Sequence, residues 1–115
     1  MIPTPEKVRV YIALGATDMR KSINGLSLLV EDQFDLDLFS GSLFAFSNRK
    51  RDMVKILYWY QNGFCIWQKR LEAETFRWPE SEEEVIEIHE TALQWLLHGL
   101  DLQQAHRQLS YNSVS

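Results

Sequence analysis

The sequence is short of the residues that mark specialised chemistry. A single cysteine among 115 residues cannot form an internal disulfide, so a reducing compartment, the cytoplasm, is expected. The apolar runs are short and interrupted, which excludes a membrane-spanning helix. Met1–Lys7 has no basic head followed by an apolar stretch, so no secretory leader is expected. His89, His98 and His106 stand nine and eight residues apart, a spacing that fits no ligand pair on one helix, and each reads as a surface or capping residue. There is no glycine-rich phosphate loop and no dinucleotide turn. Asp18, Asp52 and Glu72 are scattered, Glu82-Glu83-Glu84 reads as a solvated run, and Cys65 reads as a small core residue. These absences predict a protein without catalytic, metal or cofactor chemistry.

What is present is an ordinary globular composition with an uneven charge. Hydrophobic residues make up 45% and aromatics 12%, enough for one core. We expect a single domain over residues 1–100 and a polar tail over 101–115, either a frayed helix or disordered. The net charge is −4, but residues 1–79 hold 11 of the 12 Lys/Arg against 9 of the 16 acids. Residues 80–115 hold one Arg and seven acids. A basic front with an acidic rear suits a protein that handles an anion at one end, although mixed surface charge alone would give the same count.

Periodicity predicts an α+β fold. Val8, Val10 and Ile12 alternate within 7–14 as in a half-buried strand. Met19, Ile23, Leu26, Leu29 and Val30 recur at helical spacing from Asp18 to Phe34, with Thr17 or Asp18 as N-cap and Gly25 marking close packing against the sheet. Strands follow at Ser42–Ser47, Met53–Tyr60 and Phe64–Leu71, a loop at 73–83, a short strand at 85–88 and a helix from Thr91 to His98 stopped by Gly99. The fold expected is an antiparallel sheet of four to five strands, mixed or curled towards a barrel, packed against one long helix and a short C-terminal one. The central hairpin is apolar on both faces, so the sheet must be covered twice or hide a face in a partner.

Asn62-Gly63 predicts a type I′ turn, which tolerates positive φ at both central positions. That turn places Tyr60 opposite Cys65, Tyr58 opposite Trp67, Ile56 opposite Lys69, and Lys55 opposite Arg70. Facing like charges repel, so a hairpin that keeps them points to an anionic partner. Three groups of cations follow. Arg20 and Lys21 beside a helix N-terminus would complete a phosphate pocket, or else lie on the surface compensated by Asp18. Arg49, Lys50 and Arg51 form a hairpin tip, a solvated turn or a phosphate contact. The register places Lys55, Arg70, Gln68 and Trp59 together on one face, where Trp59 would stack on a base, and Lys69 is a further expected phosphate contact. Seven Lys/Arg and nine aromatics within 42–79 suit such an interface, although aromatics alone suit a core equally.

The residues also carry a family pattern. Thr17-Asp18-Met19-Arg20-Lys21-Ser22 with Gly25-Leu26 resembles the first motif of the small TnpB accessory proteins of bacterial insertion sequences of the IS-sixty-six type, which are distinct from the RNA-guided nuclease of the same name. Phe39-Ser40-Gly41-Ser42-Leu43-Phe44, Asn48-Arg49, Lys55-Ile56-Leu57-Tyr58-Trp59, Asn62-Gly63-Phe64, Lys69-Arg70-Leu71-Glu72, Phe76 and Trp78-Pro79 resemble the second. Trp95-Leu96-Leu97 with Gly99-Leu100 resembles the third. The resemblance runs from Val8 to Leu100 and implies an accessory to DNA transposition, working beside a transposase and neighbouring element-encoded proteins. Two readings stay open. One is contact with DNA at the element ends; the other is an adaptor that docks the transposase or forms a homodimer. No membrane partner is expected.

Overall fold

The computed structural model describes residues 8–98. The expected tail over 101–115, together with Gly99, Leu100 and His106, lies outside the described residues. The chain runs β1 (Val10–Ala16), α1 (Ile23–Leu28), β2 (Leu43–Ser47), β3 (Met53–Tyr60), β4 (Gly63–Arg70), β5 (Val85–Ile88) and α2 (Glu90–Leu97). The strands form one open mixed sheet in the order β4-β3-β2-β1-β5. β1 and β2 are parallel, as a crossover through α1 requires, and every other pair is antiparallel.

Both faces of the sheet are covered. On one, Val10, Ile12, Leu14, Leu43, Val54 and Ile56 pack with Leu93, Leu96 and Leu97 of α2 and with Phe76 and Trp78. On the other, Ala13, Phe44, Phe46 and Leu57 pack with Leu26, Val30 and Leu38. Every residue of β2 is buried, as a central strand covered twice demands. The segment 73–83 is irregular, as expected, yet it is anchored. The Trp78 indole donates to the Ala13 carbonyl at 2.8 Å, and the Phe76 N–H to the Arg51 carbonyl at 2.6 Å.

The long helix is shorter than its periodicity predicts. The Asp18 carboxylate accepts from the Arg20 backbone N–H at 2.9 Å, closing a turn instead of capping a helix. Regular helix therefore starts after Ser22, runs to Leu28 and continues as a π-helical turn over Leu29–Gln33, closed by Phe34 N–H to Leu29 C=O at 3.0 Å. Gly25 is close to Lys21, not to the sheet: a Cβ there would lie 3.1 Å from the Lys21 stem.

The hairpin register also differs from the expectation. Tyr60 pairs with Gly63, Tyr58 with Cys65, Ile56 with Trp67, and Lys55 with Gln68. The loop is Gln61-Asn62, and the left-handed conformation falls on Gln61 at φ 58°. Sliding by two residues leaves each side chain on its face, so the apolar pattern permits both registers. Cross-strand pairing decides between them. The observed register sets Trp59 against Phe64 and Leu57 against Ile66, and it separates Lys55 from Arg70, whereas the Asn62-Gly63 turn would oppose Ile56 to Lys69.

Candidate functional site

Most of the cations singled out by the sequence are engaged inside the molecule. Lys55 Nζ donates to the Met19 carbonyl at 2.7 Å and the Lys21 carbonyl at 3.1 Å, tying β3 to the turn before α1. Lys69 Nζ donates to the Leu97 carbonyl at 3.2 Å, satisfying an orphan group at the C-terminal end of α2. Arg70 meets Glu72 at 3.4 Å. Arg20 forms a two-pronged contact with the Asp18 carboxylate at 2.8 to 3.2 Å, which holds that carboxyl well below its usual range and raises the guanidinium. The facing pair of free cations, Lys55 and Arg70, is thus absent: the two are diagonal neighbours on one face, and each has its own acceptor.

Arg51 is structural as well. Its backbone is left-handed at φ 62°, its N–H donates to the Asn48 carbonyl at 3.2 Å, and its Nη2 donates to the Leu14 carbonyl at 3.1 Å. Burial lowers its pKa, a shift that Glu80 opposes. The loop around it is organised by Asn48, whose Oδ1 accepts from the N–H groups of Asp52 and Met53. Asn48 carried no site expectation, although an Asn opening a five-residue hairpin connection is a turn signal. That leaves Lys21, Arg49 and Lys50 exposed, without side-chain hydrogen bonds or ion pairs to any described residue. Lys21 and Arg51 share a cleft of about 480 Å³ at the C-terminal end of β1, but Asp18, Glu80, Glu83 and Glu84 line it too. Its charge is therefore acidic on balance, a poor seat for a phosphate.

Trp59 belongs to a different feature. Its ring centroid lies 5.1 Å from that of Phe39 and 4.9 Å from that of Phe64, both edge-to-face, and Phe39 to Phe64 is 5.4 Å. Phe39 is 57% exposed. It follows directly on Asp35 and Asp37, both exposed, and its N–H donates to the Asp37 carboxylate at 3.0 Å. The arrangement is an aromatic cluster of one exposed ring, Phe39, and two half-buried ones, Trp59 and Phe64, beside the Asp37 carboxylate. Phe39 carried no site expectation because it lies in a connection with no periodicity. The sequence signal was a large aromatic between Asp37 and Gly41, in a loop where nothing requires one.

Among the described residues no three His, Cys, Asp or Glu are grouped to hold a metal ion. No described helix is long and apolar enough to cross a membrane. His89 serves as the α2 N-cap, its Nδ1 accepting from the Thr91 N–H at 3.1 Å. The family described as IS66 Orf2 like protein matches residues 8–107. The chain belongs to this family. An IS66 Orf2-like protein is an accessory of an insertion sequence, so the implied association with transposition holds at that level. Two relatives come from Sinorhizobium fredii (strain NBRC 101917 / NGR234). The uncharacterized protein y4hO is 38% identical over 101 residues, 88% of each chain, and the uncharacterized protein y4jC is 27% identical over 108, covering 94% of this chain and 92% of that one. No solved structure matches this IS66 Orf2-like chain.

Proposed function

We propose that this protein serves transposition as a non-catalytic adaptor that docks on the transposase of its own element. The observation that carries the reading is the Phe39–Trp59–Phe64 cluster, an aromatic surface with Phe39 more than half exposed. Exposed rings in mutual contact are the residues that anchor protein interfaces. Asp37, whose carboxylate accepts from the Phe39 N–H, favours a partner segment with Lys or Arg among its apolar residues, because a cationic stem covers a ring face while its head meets a carboxylate. The engaged state of Arg20, Lys55, Lys69 and Arg70 supports the same reading, since four candidate phosphate ligands already have acceptors, while Arg51 bonds the Leu14 carbonyl through Nη2 and its buried Nη1 has no partner among the described residues.

Co-purification of the transposase with wild-type protein and with Phe39→Asp tests this. The variant alters an exposed ring, so the fold persists while capture falls by about tenfold or more, the effect of one interface anchor. Undiminished capture by a folded Phe39→Asp protein overturns the reading.

One observation favours a second reading, contact with DNA at the element ends. Arg49 and Lys50 at the β2–β3 tip, and Lys21 before α1, are exposed and keep their charge free. Binding through them alone would be weak and would lose affinity with rising salt at a slope of about three phosphates. A gel-shift series on terminal DNA from about 50 to 200 mM salt, repeated with Arg49→Glu and Lys50→Glu, measures that slope. No shift at the lowest salt removes DNA contact by this protein alone.

A further inference from the structure

β4 is an edge strand that nothing among the described residues covers. β3 lies on one side of it, and no described strand lies on the other. The bond from Leu71 N–H to the Asp52 carbonyl, at 2.8 Å, fixes the phase of the ladder. Bonded pairs alternate in an antiparallel ladder, so Gly63, Cys65, Trp67 and Lys69 bond to β3. The N–H and C=O of Phe64, Ile66, Gln68 and Arg70 point away from it. None of these groups meets a partner among the described residues outside the β3 ladder.

Such an edge is a template for another strand, and folded monomers blunt it with a proline, a bulge, a charge or short length. β4 runs for eight residues and pairs with β3 without a register break, and Gly63–Gln68 contains neither proline nor charge. The opposite edge is treated differently. β5 has four residues and carries Glu87, which lies 3.9 Å from Arg9.

We propose that β4 is the seam of a homodimer: two copies pair antiparallel about a two-fold axis near Ile66, joining two five-stranded sheets into one of ten strands. For a second copy, the charge pattern of the strand favours this orientation over the parallel one. Parallel pairing would set Lys69 and Arg70 beside the same two cations. Antiparallel pairing sets them beside the neutral Gln61-Asn62-Gly63 turn and opposes the uncharged middle of each strand to itself. Phe64 and Ile66 on the α1 side and Cys65 and Trp67 on the α2 side are half-buried in one copy, and the seam covers them further. The seam borders the proposed docking surface at Phe64, which packs against Phe39 and Trp59, but the groups that bond across it are backbone groups along the strand edge, so the two can be tested separately.

The lone cysteine lies on the seam and serves as the probe. For axes at Cys65, Ile66 or Trp67 the two Cys65 side chains come within about 15 Å of each other, four residues of rise at most. Wild-type protein at micromolar concentration should sediment as a dimer and yield a covalent dimer with a bismaleimide of that span. Gln68→Pro removes an outward N–H at an exposed position and leaves the β3 ladder intact, so the folded variant should raise the dimer Kd by roughly tenfold or more. Should that variant unfold, the Cys65 cross-link in wild-type protein decides alone. A wild-type monomer at about a hundredfold higher concentration overturns the proposal, whether its Phe64, Ile66 and Gln68 amides exchange freely or are protected by another segment. So does a dimer that neither cross-links through Cys65 nor responds to Gln68→Pro. Retained transposase capture by monomeric Gln68→Pro separates this seam from the docking surface.

Discussion

Arg51 combines a costly backbone with a useful side chain. A non-glycine residue in the left-handed region costs roughly 1–2 kcal/mol, and here the cost is offset by the Leu14 contact and by a carbonyl aimed at the Phe76 N–H. Replacing Arg51 by Ala and by Gly separates the two. Both variants lose the guanidinium, but Gly relieves the backbone, so Arg51→Gly should be the more stable of the pair by about 1 kcal/mol in urea unfolding. Equal stabilities would mean the loop relaxes to another conformation. Lys55 offers a sharper test between structure and nucleic-acid contact. Lys55→Met leaves the Met19 and Lys21 carbonyls without their donor and should lower stability by about 1–2 kcal/mol. If Lys55 touched phosphate instead, the variant would reduce the salt slope of DNA binding by about one and leave stability unchanged. The identity of these cations was legible in the sequence; their acceptors were not. A long side chain reaches backbone carbonyls some 36 residues away, and no local pattern records that contact.

The elements were legible where the apolar period is strong and obscure where turn chemistry decides. β1 follows from period-two alternation, β3 and β4 from apolar runs bounded by turn residues, and the two covered faces from the apolar hairpin. The start of α1 does not, because Asp18 spends its carboxylate on a turn that periodicity ignores. The β3–β4 connection shows the same competition. Asn62-Gly63 is a strong type I′ signal, yet matching apolar cross-strand pairs shifted the loop to Gln61-Asn62. Gln61 now occupies the left-handed first position of a two-residue turn, where glycine is preferred. Gln61→Gly should therefore raise stability by about 0.5–1 kcal/mol, read as a higher urea midpoint at unchanged slope. A loss of stability would restore the Asn62-Gly63 turn, in which Gln61 stays in extended conformation.

At the scale of the whole molecule, one sheet supports two cores, and this governs how the protein comes apart. Ile12 and Ala13 are adjacent in β1 yet belong to opposite cores, as do Ile56 and Leu57 in β3. Neither core can melt without exposing strands that the other needs, so unfolding should be a single cooperative transition. Leu26 and Leu96, each fully buried, sample the two sides. Leu→Ala at either site should cost about 2–5 kcal/mol, a large part of the 5–15 kcal/mol that holds a domain of this size. Each variant, made in a Trp59→Phe background so that emission comes from Trp67, Trp78 and the α2 residue Trp95, should lower the same transition, with tryptophan fluorescence coinciding with far-UV circular dichroism. If Leu26→Ala instead melts the α1 side first while the fluorescence transition keeps its wild-type midpoint, the layers are separate folding units. The sheet would then be a platform on which α1, the turn at Asp18 and the Phe39 loop come and go. That outcome would place the aromatic docking surface on a mobile layer, where partner binding stabilises the protein as it forms the complex.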